Sequence, residues 1–389
     1  MLRRKLVSLS LAGLPLAGAS EDYWKKVRRG ANCFNRELTG AWVEAAAAAR
    51  ITTVRLSYEK WGGRDYLMGS ADEYQQLTRA HLKTLISSLD RFAAAKIGVV
   101  VVPLSLPGAR WQQMNGNRRD GRLWRDKRYW DGCAKFWRDL AGALKGHMAV
   151  VGLDVLNEPA PEVEWGLNGF WKGEHGRWHE KARGGAGDLN AFYQQMVGAI
   201  RSQDTAVPIV IESGLYGTPW ALPVLEPIRD KQVLYSIHMY EPYEYTTWRK
   251  HQGKLRYPGR VGLEETGAEI EAGATWMDGF FEPVRKWMKQ HSIAPQQMLV
   301  GEFGCGRKCM GAADYLRDLI DVFEREKWHW LFYSYREDNW EGMDYELGVK
   351  PPPEWYWRLS EKGGMAQRYE ELYRSRRGNE IWQTIASRL

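Results

Sequence analysis

Short runs of apolar and β-branched residues recur along the chain, separated by longer segments in which apolar residues return every three or four positions. Such runs predict strands covered on both faces, and the intervening periodicity predicts amphipathic helices. The eight predicted strands are Gly30–Phe34, Thr52–Leu56, Ile97–Leu104, Val150–Leu156, Pro208–Glu212, Val233–Met239, Met298–Phe303 and Trp328–Tyr335. The predicted helices are Trp42–Arg50, Tyr74–Ala95, Trp130–Leu144, Asn190–Gln203 and Ala312–Glu326.

Strands that alternate with helices predict a parallel sheet joined by helical crossovers. Eight such units within about 300 residues favour a closed (β/α)8 TIM barrel of the α/β class over an open sheet. The chain shows no internal repeat and no linker rich in Pro, Ser or Thr, so residues 20–389 are predicted to form one barrel domain. Two long aromatic-rich insertions, Glu162–Asp188 and Glu241–Gly273, are expected at the C-terminal face of the barrel, where active sites are built.

The first nineteen residues have the pattern of a secretory signal peptide. Arg3–Lys5 are basic, Leu6–Leu16 are mostly apolar, and Ala17–Ala19 are small. We therefore predict a signal peptide at residues 1–19 and a secreted or periplasmic mature protein, with the paired arginines leaving the export route open. The apolar run is too short to cross a bilayer, and no later stretch has about 18 uncharged apolar residues, so no membrane span is expected.

Composition and charge narrow the classes of function. The chain carries 20 Trp, 19 Tyr and 10 Phe, an excess that favours a ligand with stackable rings such as a sugar. The formal net charge is +7, but the basic residues are scattered, which argues against a nucleic-acid partner. An exported protein permits disulfides among Cys33, Cys133, Cys305 and Cys309; Cys305 and Cys309 are close enough in sequence to bridge, and the pairing stays open.

Two glutamates stand at the C-terminal ends of predicted strands. Glu158 lies in Asn-Glu-Pro after the fourth strand, and Glu302 lies in Gly-Glu-Phe-Gly at the end of the seventh. Opposed carboxylates at one barrel rim suit glycoside cleavage, because one protonates the leaving oxygen while the other attacks the anomeric carbon. The nucleophile must stay ionised, which a neighbouring cation favours. Arg55, near the end of the second predicted strand, can supply that positive charge at the same rim. Glu212, ending the fifth strand, either lines the same cleft or is a structural acid.

The order of these motifs resembles glycoside hydrolase family 5, the cellulase and mannanase family of retaining barrel glycosidases. The resemblance rests on Gly30-Ala31-Asn32-Cys33-Phe34-Asn35, Val54-Arg55-Leu56, Leu156-Asn157-Glu158-Pro159, Ile237-His238-Met239-Tyr240 and Gly301-Glu302-Phe303-Gly304. It implies these roles: acid/base for Glu158, nucleophile for Glu302, binding of the sugar 2-hydroxyl for Asn157, donation to Glu302 for Tyr240, tuning of Glu158 for His238, and a fixed charge beside Glu302 for Arg55.

Two positions depart from the family pattern. The third predicted strand runs into Leu104–Gly108 without the histidine that many members carry there, and the eighth ends in Tyr335 where many members have a tryptophan. Tyrosine still stacks on a sugar, with less area, so Tyr335 is a predicted platform, and Trp111 is a second one. Both departures bear on the substrate more than on the reaction.

No cofactor and no metal site are predicted. His175 and His179 are four residues apart and would share one face of a helix, where they could bind a metal ion. Gly173 and Gly176 disfavour a helix in that segment, so the metal interpretation is set aside.

The prediction is therefore a retaining glycoside hydrolase that cleaves β-linked glycans through a glycosyl-enzyme intermediate, first as an endo-β-1,4-glucanase. The alternatives on the same fold are a β-mannanase and an exo-β-glucosidase. A glycan-binding barrel without catalysis and a metal-dependent hydrolase are the alternatives of other kinds. The expected partner is a β-linked polysaccharide or oligosaccharide, and the chain is expected to act as a monomer.

Overall fold

The computed structural model describes residues 22–34, 38–58, 65–167, 174–264, 267–358 and 365–389. The predicted signal peptide at residues 1–19 lies outside these ranges and stays a prediction. Among the described residues, no helix combines the length and the apolar character that a membrane crossing requires.

Within this part of the chain, eight parallel strands close into a barrel. They are β1 (Arg29–Cys33), β2 (Thr53–Leu56), β3 (Gly98–Val101), β4 (Val150–Asp154), β5 (Ile209–Glu212), β6 (Val233–Met239), β9 (Met298–Phe303) and β10 (His329–Phe332). Between β6 and β9, the strands β7 (Gly259–Gly262) and β8 (Glu269–Ala272) form a separate two-stranded sheet. Parallel pairing of β1 with β10 closes the ring. Each barrel strand overlaps one predicted run, and the predicted (β/α)8 barrel is confirmed.

Helices between the strands cover the outside of the barrel. The five that correspond to predicted helices are Gly40–Ala48, Arg79–Ala94, Arg128–Leu144, Leu189–Arg201 and Ala312–Glu326. The sequence pattern did not predict Ala274–Phe280 and Glu282–His291 before β9, or Met365–Arg376 and Glu380–Ala386 near the C-terminus. Each of the five predicted helices turns a stripe of apolar side chains toward the strands, as amphipathic spacing requires.

The barrel interior has an apolar floor. One buried side chain from each of six strands joins a separate cluster, made of Val100, Val151, Val210, Leu234, Leu299 and Leu331. Trp24, which precedes β1, completes this cluster and donates its indole N–H to the carbonyl of Val151 at 2.8 Å. Polar side chains occur further along the same strands, toward their C-terminal ends, so the chemistry of the barrel is confined to that rim.

The two insertions contain secondary structure of their own. The first includes the helices Pro161–Glu164 and Glu174–Ala182, and the second includes an antiparallel hairpin of β7 (Gly259–Gly262) and β8 (Glu269–Ala272). The prediction against a helix around His175 and His179 is wrong. Gly176 is solvent-exposed within this helix, where glycine costs only about 1 kcal/mol relative to alanine, and tertiary contacts of the two histidines offset that cost.

No disulfide joins the four cysteines, all of which are described and buried. The pairing considered for Cys305 and Cys309 is therefore not formed. Burial raises the pKa of the Cys133 and Cys305 thiols well above its ordinary value, so both behave as small apolar side chains rather than as reactive thiolates.

Candidate active site

The structure brings the two predicted catalytic glutamates together at the C-terminal rim. Glu158 follows β4 and Glu302 lies within β9. Three atoms all lie within 4.8 Å of one another: one carboxylate oxygen of Glu158, one carboxylate oxygen of Glu302 and one ring nitrogen of His238. Retaining glycosidases hold their carboxyl groups about 5–5.5 Å apart, whereas inverting enzymes need about 6.5–9.5 Å for an intervening water. The spacing fits direct attack by a carboxylate.

The carboxylate of Glu302 is held by a donor on each oxygen. Arg55 donates from Nη1 to Oε1 at 2.7 Å, and the hydroxyl of Tyr240 donates to Oε2 at 2.7 Å. Only 5% of the Glu302 side chain is exposed. Charge-assisted hydrogen bonds of this kind stabilise the ionised form and fix its orientation, which are the two requirements of a nucleophile.

Arg55 is fully buried and joins the rim residues into one network. Its Nε donates to Asp154 at 2.8 Å, and its Nη2 donates to Glu212 at 2.5 Å and to Asn157 at 3.0 Å. Burial lowers the pKa of Arg55, but the charges of Asp154, Glu212 and Glu302 raise it above its ordinary value. The guanidinium is therefore a permanent positive charge at the base of the site.

Glu158 lies in a different environment. Its Oε1 is 2.9 Å from Nδ1 of His238, and 19% of its side chain is exposed, more than for Glu302. Burial raises the pKa of Glu158; the hydrogen bond from His238 opposes this shift, and the charge of Glu302 adds to it. A carboxyl group that has a raised pKa and reaches solvent is suited to general acid/base work.

His238 is a cation in this site. Burial lowers its pKa, but the charges of Glu212 and Glu302, with the hydrogen bond that the ring donates to Glu158, raise the pKa to about 10. Its Nε2 is 3.3 Å from Oε1 of Glu212, an ion-pair contact on the side opposite Glu158. The protonated ring thus bridges the acid/base candidate and a second buried carboxylate.

The sequence did not single out Asp154, and it left the role of Glu212 undecided. Glu212 is fully buried, and its Oε2 accepts the backbone N–H of Glu158 at 2.7 Å. Glu158 has a φ of 51°, in the left-handed region that costs energy for a residue with a side chain, and this hydrogen bond supports it.

Burial raises the pKa of Asp154 to about 8, and the charge of Arg55 opposes that shift. The sequence did contain a signal for Asp154, namely an acidic residue within an apolar strand. A buried acidic side chain needs a buried partner.

A sequence-family model described as Cellulase (glycosyl hydrolase family 5) matches residues 20–339. The chain belongs to glycosyl hydrolase family 5. This family 5 glycoside hydrolase is 22% identical over 341 residues to Endoglucanase C of Acetivibrio thermocellus, and the match covers 81% of the chain and 87% of that relative.

Solved structures resemble the fold of the family 5 enzyme. A hyperthermophilic endo-β-1,4-glucanase in complex with substrate superposes with a TM-score of 0.63 at 13% identity, covering 95% of this chain and 99% of that one. Cel5A of Thermotoga maritima in complex with mannotriose gives a TM-score of 0.59 at 17% identity, covering 81% of this chain and 92% of that one. At these identities the likeness establishes the barrel alone.

In the family 5 enzyme, Glu158 and His238 line a cavity of about 500 Å³. Aromatic side chains line it, namely Tyr216, Tyr240, Tyr243 and Trp340. Tyr216 is 44% exposed and Tyr243 is 38% exposed, so both present rings to solvent. The ring of Trp340 packs edge-on against Tyr240 at 5.0 Å, and the hydroxyl of Tyr240 donates to Glu302. These rings supply flat apolar surfaces for sugars.

The prediction that Tyr335 is a sugar platform is wrong. Only 1% of this residue is exposed, and its ring packs against Trp42 at 5.3 Å and Trp382 at 5.8 Å, between the barrel and two outer helices. Trp340, five residues later in the same loop, lines the cavity instead. Trp111 is partly buried against the core, and its role as a platform stays a prediction.

Proposed function

We propose that this family 5 enzyme is a retaining endo-β-1,4-glucanase in which Glu302 is the nucleophile and Glu158 is the acid/base. The observation that carries the proposal is the pair of opposed carboxyl groups in unlike environments. Glu302 accepts hydrogen bonds from Arg55 and Tyr240, whereas burial raises the pKa of Glu158. Two neighbouring carboxyl groups in unlike environments can supply an anion and a proton at one place.

In the first step, Glu302 attacks the anomeric carbon while Glu158 gives its proton to the leaving glycosidic oxygen. The bond between the sugar and the leaving group breaks, and an ester forms between Glu302 and the sugar. In the second step, the carboxylate of Glu158 takes a proton from water, whose oxygen attacks the anomeric carbon on the face that the leaving group vacated, and the ester bond to Glu302 breaks. The configuration at the anomeric carbon is retained after two inversions.

The neighbouring side chains support both steps. The His238 cation, 2.9 Å from Glu158, stabilises the carboxylate that Glu158 becomes after it has given up its proton. The Oδ1 of Asn157 accepts from Arg55, which leaves the amide N–H groups of Asn157 as donors for the sugar 2-hydroxyl. A donor to this hydroxyl contributes several kcal/mol when its hydrogen bond strengthens in the transition state.

The shape of the cleft supports action within a polymer. Tyr216 and Tyr243 are exposed around the opening, beyond the two carboxylates, where further sugar units of a chain would lie. The curated relatives matched by the chain carry the name endoglucanase, which agrees with this arrangement. The predicted signal peptide at residues 1–19 also fits a polymeric substrate, since such substrates are met outside the cytoplasm.

Product analysis on four soluble polymers tests the proposal: carboxymethyl cellulose, mixed-linkage β-glucan, mannan and xylan. We expect a fast loss of viscosity on the two glucans relative to the release of reducing ends, with Glu302→Gln inactive. Reducing ends released without loss of viscosity would indicate exo action, and faster cleavage of mannan would indicate a β-mannanase. Binding without turnover, or undiminished activity of Glu302→Gln, would overturn the assignment.

The stereochemistry is tested separately. Proton NMR of freshly formed products distinguishes the two anomers before they equilibrate. We expect the β-anomer first, because attack by Glu302 and then by water inverts the carbon twice. Initial appearance of the α-anomer would contradict the nucleophile role.

A further inference from the structure

A second group of metal-binding side chains lies outside the catalytic centre, in the first insertion. Nε2 of His175 and Nε2 of His179 lie 3.1 Å and 2.9 Å from the same atom, Oε1 of Glu162. One possible ligand atom from each residue lies within 4.8 Å of the others. Glu162 belongs to the helix that follows β4, whereas the histidines share one face of the helix Glu174–Ala182. Three donor atoms from two separate elements thus converge on one point.

These donors form the set that zinc-class ions prefer. Two imidazoles and one carboxylate, with a fourth position left to solvent, make up a common zinc environment. Ligand atoms around a tetrahedral zinc ion with bonds of about 2.0–2.1 Å stand about 3.3 Å apart. The two observed separations of Glu162 from the histidines need to open by only a few tenths of an ångström. Histidines at positions i and i+4 are also the usual way for one helix to present two ligands.

The environment of Glu162 keeps this carboxylate ready to bind a cation. Glu162 is fully buried, and a single oxygen of its carboxylate faces both His175 and His179. A buried carboxylate requires a compensating positive charge, which a divalent metal ion supplies directly.

A route from solvent leads to the group. A cavity of about 390 Å³ is lined by His179 together with the acidic residues Glu180 and Asp188. The side chains of His175 and His179 each remain 10% exposed. The cavity gives an ion access and offers a water molecule to the fourth coordination position.

We propose that Glu162, His175 and His179 bind one divalent transition-metal ion of the zinc class, which fastens the first insertion to the wall of the substrate cleft. Glu162 connects the two, because its Oε2 accepts the backbone N–H of Leu215 at 3.2 Å, and both Leu215 and the neighbouring Val163 line the cleft. The ion stabilises structure and takes no part in glycoside cleavage, since the catalytic carboxylates belong to a different group.

The rival interpretation is a hydrogen-bonded trio in which both rings donate N–H to Glu162 without an ion. Substitutions to glutamine separate the two interpretations. His175→Gln and His179→Gln each keep a side-chain N–H donor for Glu162 but remove an imidazole ligand. A hydrogen-bonded trio predicts that both variants resemble the unaltered protein in every metal titration.

The test uses the full mature chain without a polyhistidine tag, stripped of metal with a chelator and then dialysed. Zn²⁺ is titrated by calorimetry, Co²⁺ is followed by its visible absorption, and thermal unfolding is recorded with and without Zn²⁺. We expect one tight equivalent of Zn²⁺, a tetrahedral Co²⁺ spectrum and a higher Tm with Zn²⁺, because an ion bound only by the folded state stabilises it. His179→Gln should weaken binding at least about tenfold, since it removes one of three protein ligands.

Two controls localise the ion. His147→Gln alters a histidine that pairs with Asp90 and precedes β4, whereas Glu162 follows that strand, and this variant should bind Zn²⁺ like the unaltered protein. Glu302→Gln alters the catalytic group, which also contains three possible ligands, and it should keep the tight site. Equal binding by His147→Gln and His179→Gln, loss of the tight site in Glu302→Gln, or no Zn²⁺ effect on Tm would overturn the proposal. None of these readouts depends on glycoside cleavage, so the proposal and the proposed function fail independently.

Discussion

Arg55 allows the sharpest test of the electrostatics of the site. Its Nη1 lies 2.7 Å from Oε1 of Glu302, and we expect Arg55→Met to move the acidic limb of the pH profile of kcat/KM to higher pH. With about 4 Å between charge centres and an effective dielectric constant near 20, the pair is worth about 4 kcal/mol, or about three pKa units. The hydrogen bond from Tyr240 remains and the site relaxes, so the expected displacement is about 1–3 units. The direction follows from the chemistry, because the nucleophile must be ionised and losing a nearby cation favours its protonated form.

The assay is the pH dependence of kcat/KM on an aryl β-cellobioside, with circular dichroism at each pH to establish that the variant is folded. Losing one partner of a buried ion pair costs about 3–5 kcal/mol, so Arg55→Lys, which keeps the charge, serves as the milder variant. Its acidic limb should move by less than about one unit, because the opposite charge that sets the limb is retained.

Asp154→Asn is the matched control for this experiment. It alters another partner of Arg55, but burial already raises the pKa of Asp154 to about 8, so this carboxyl group is neutral over the acidic limb. The substitution should leave that limb in place. A folded Arg55→Met enzyme with an unchanged acidic limb would refute the role assigned to Arg55, and an equal displacement in Asp154→Asn would refute the assignment of the limb to Glu302.

Four further outcomes are expected. Glu158→Gln should slow glycosides with poor leaving groups by about 10²–10⁴-fold and activated aryl glycosides far less, because only the former need the proton; equal slowing would contradict the acid role. Tyr240→Phe should lower kcat/KM by about 10–100-fold, the value of a hydrogen bond to a charged group of about 1.5–3 kcal/mol, and an unchanged kcat/KM would remove its hydroxyl from the site. Trp340→Ala should raise KM on soluble glucans by about threefold to tenfold through lost stacking, and an unchanged KM would exclude it as a platform. The pKa of His238 is raised to about 10 from an ordinary 6.5, so its contribution to stability is complete below pH 6.5 and is lost as the pH rises through 10; His238→Gln should flatten the fall of Tm across this window, and a parallel fall would count against a charged His238.

The barrel could be predicted because its strands are buried on both faces and therefore appear as apolar runs. The proximity of Glu158 and Glu302 could be predicted because they follow or end two of these runs, and topology places all such ends at one rim. The partners of Arg55 could not be predicted, since the sequence does not say that Asp154 and Glu212 point toward the same guanidinium. That convergence depends on the closure and stagger of the strands.

The errors in the sequence interpretation arose in the loops, where no periodicity constrains the direction of a side chain. Tyr335 follows the last barrel strand and was assigned to the cleft, but the chain turns there and buries its ring beside Trp382 from the C-terminal helix. In the first insertion, local propensity argued against a helix at Gly176, and a distant carboxylate, Glu162, provided the contacts that outweighed it.

Trp24 limits how far the enzyme can be shortened at its N-terminus. Its ring is 5% exposed and closes the interior cluster from below, opposite the rim that carries the chemistry. Deleting a large buried aromatic side chain typically costs about 3–5 kcal/mol, a large share of the stability of a typical domain. An expression boundary placed after Trp24 would therefore admit water beneath the strands, whereas a boundary a few residues earlier would keep the seal.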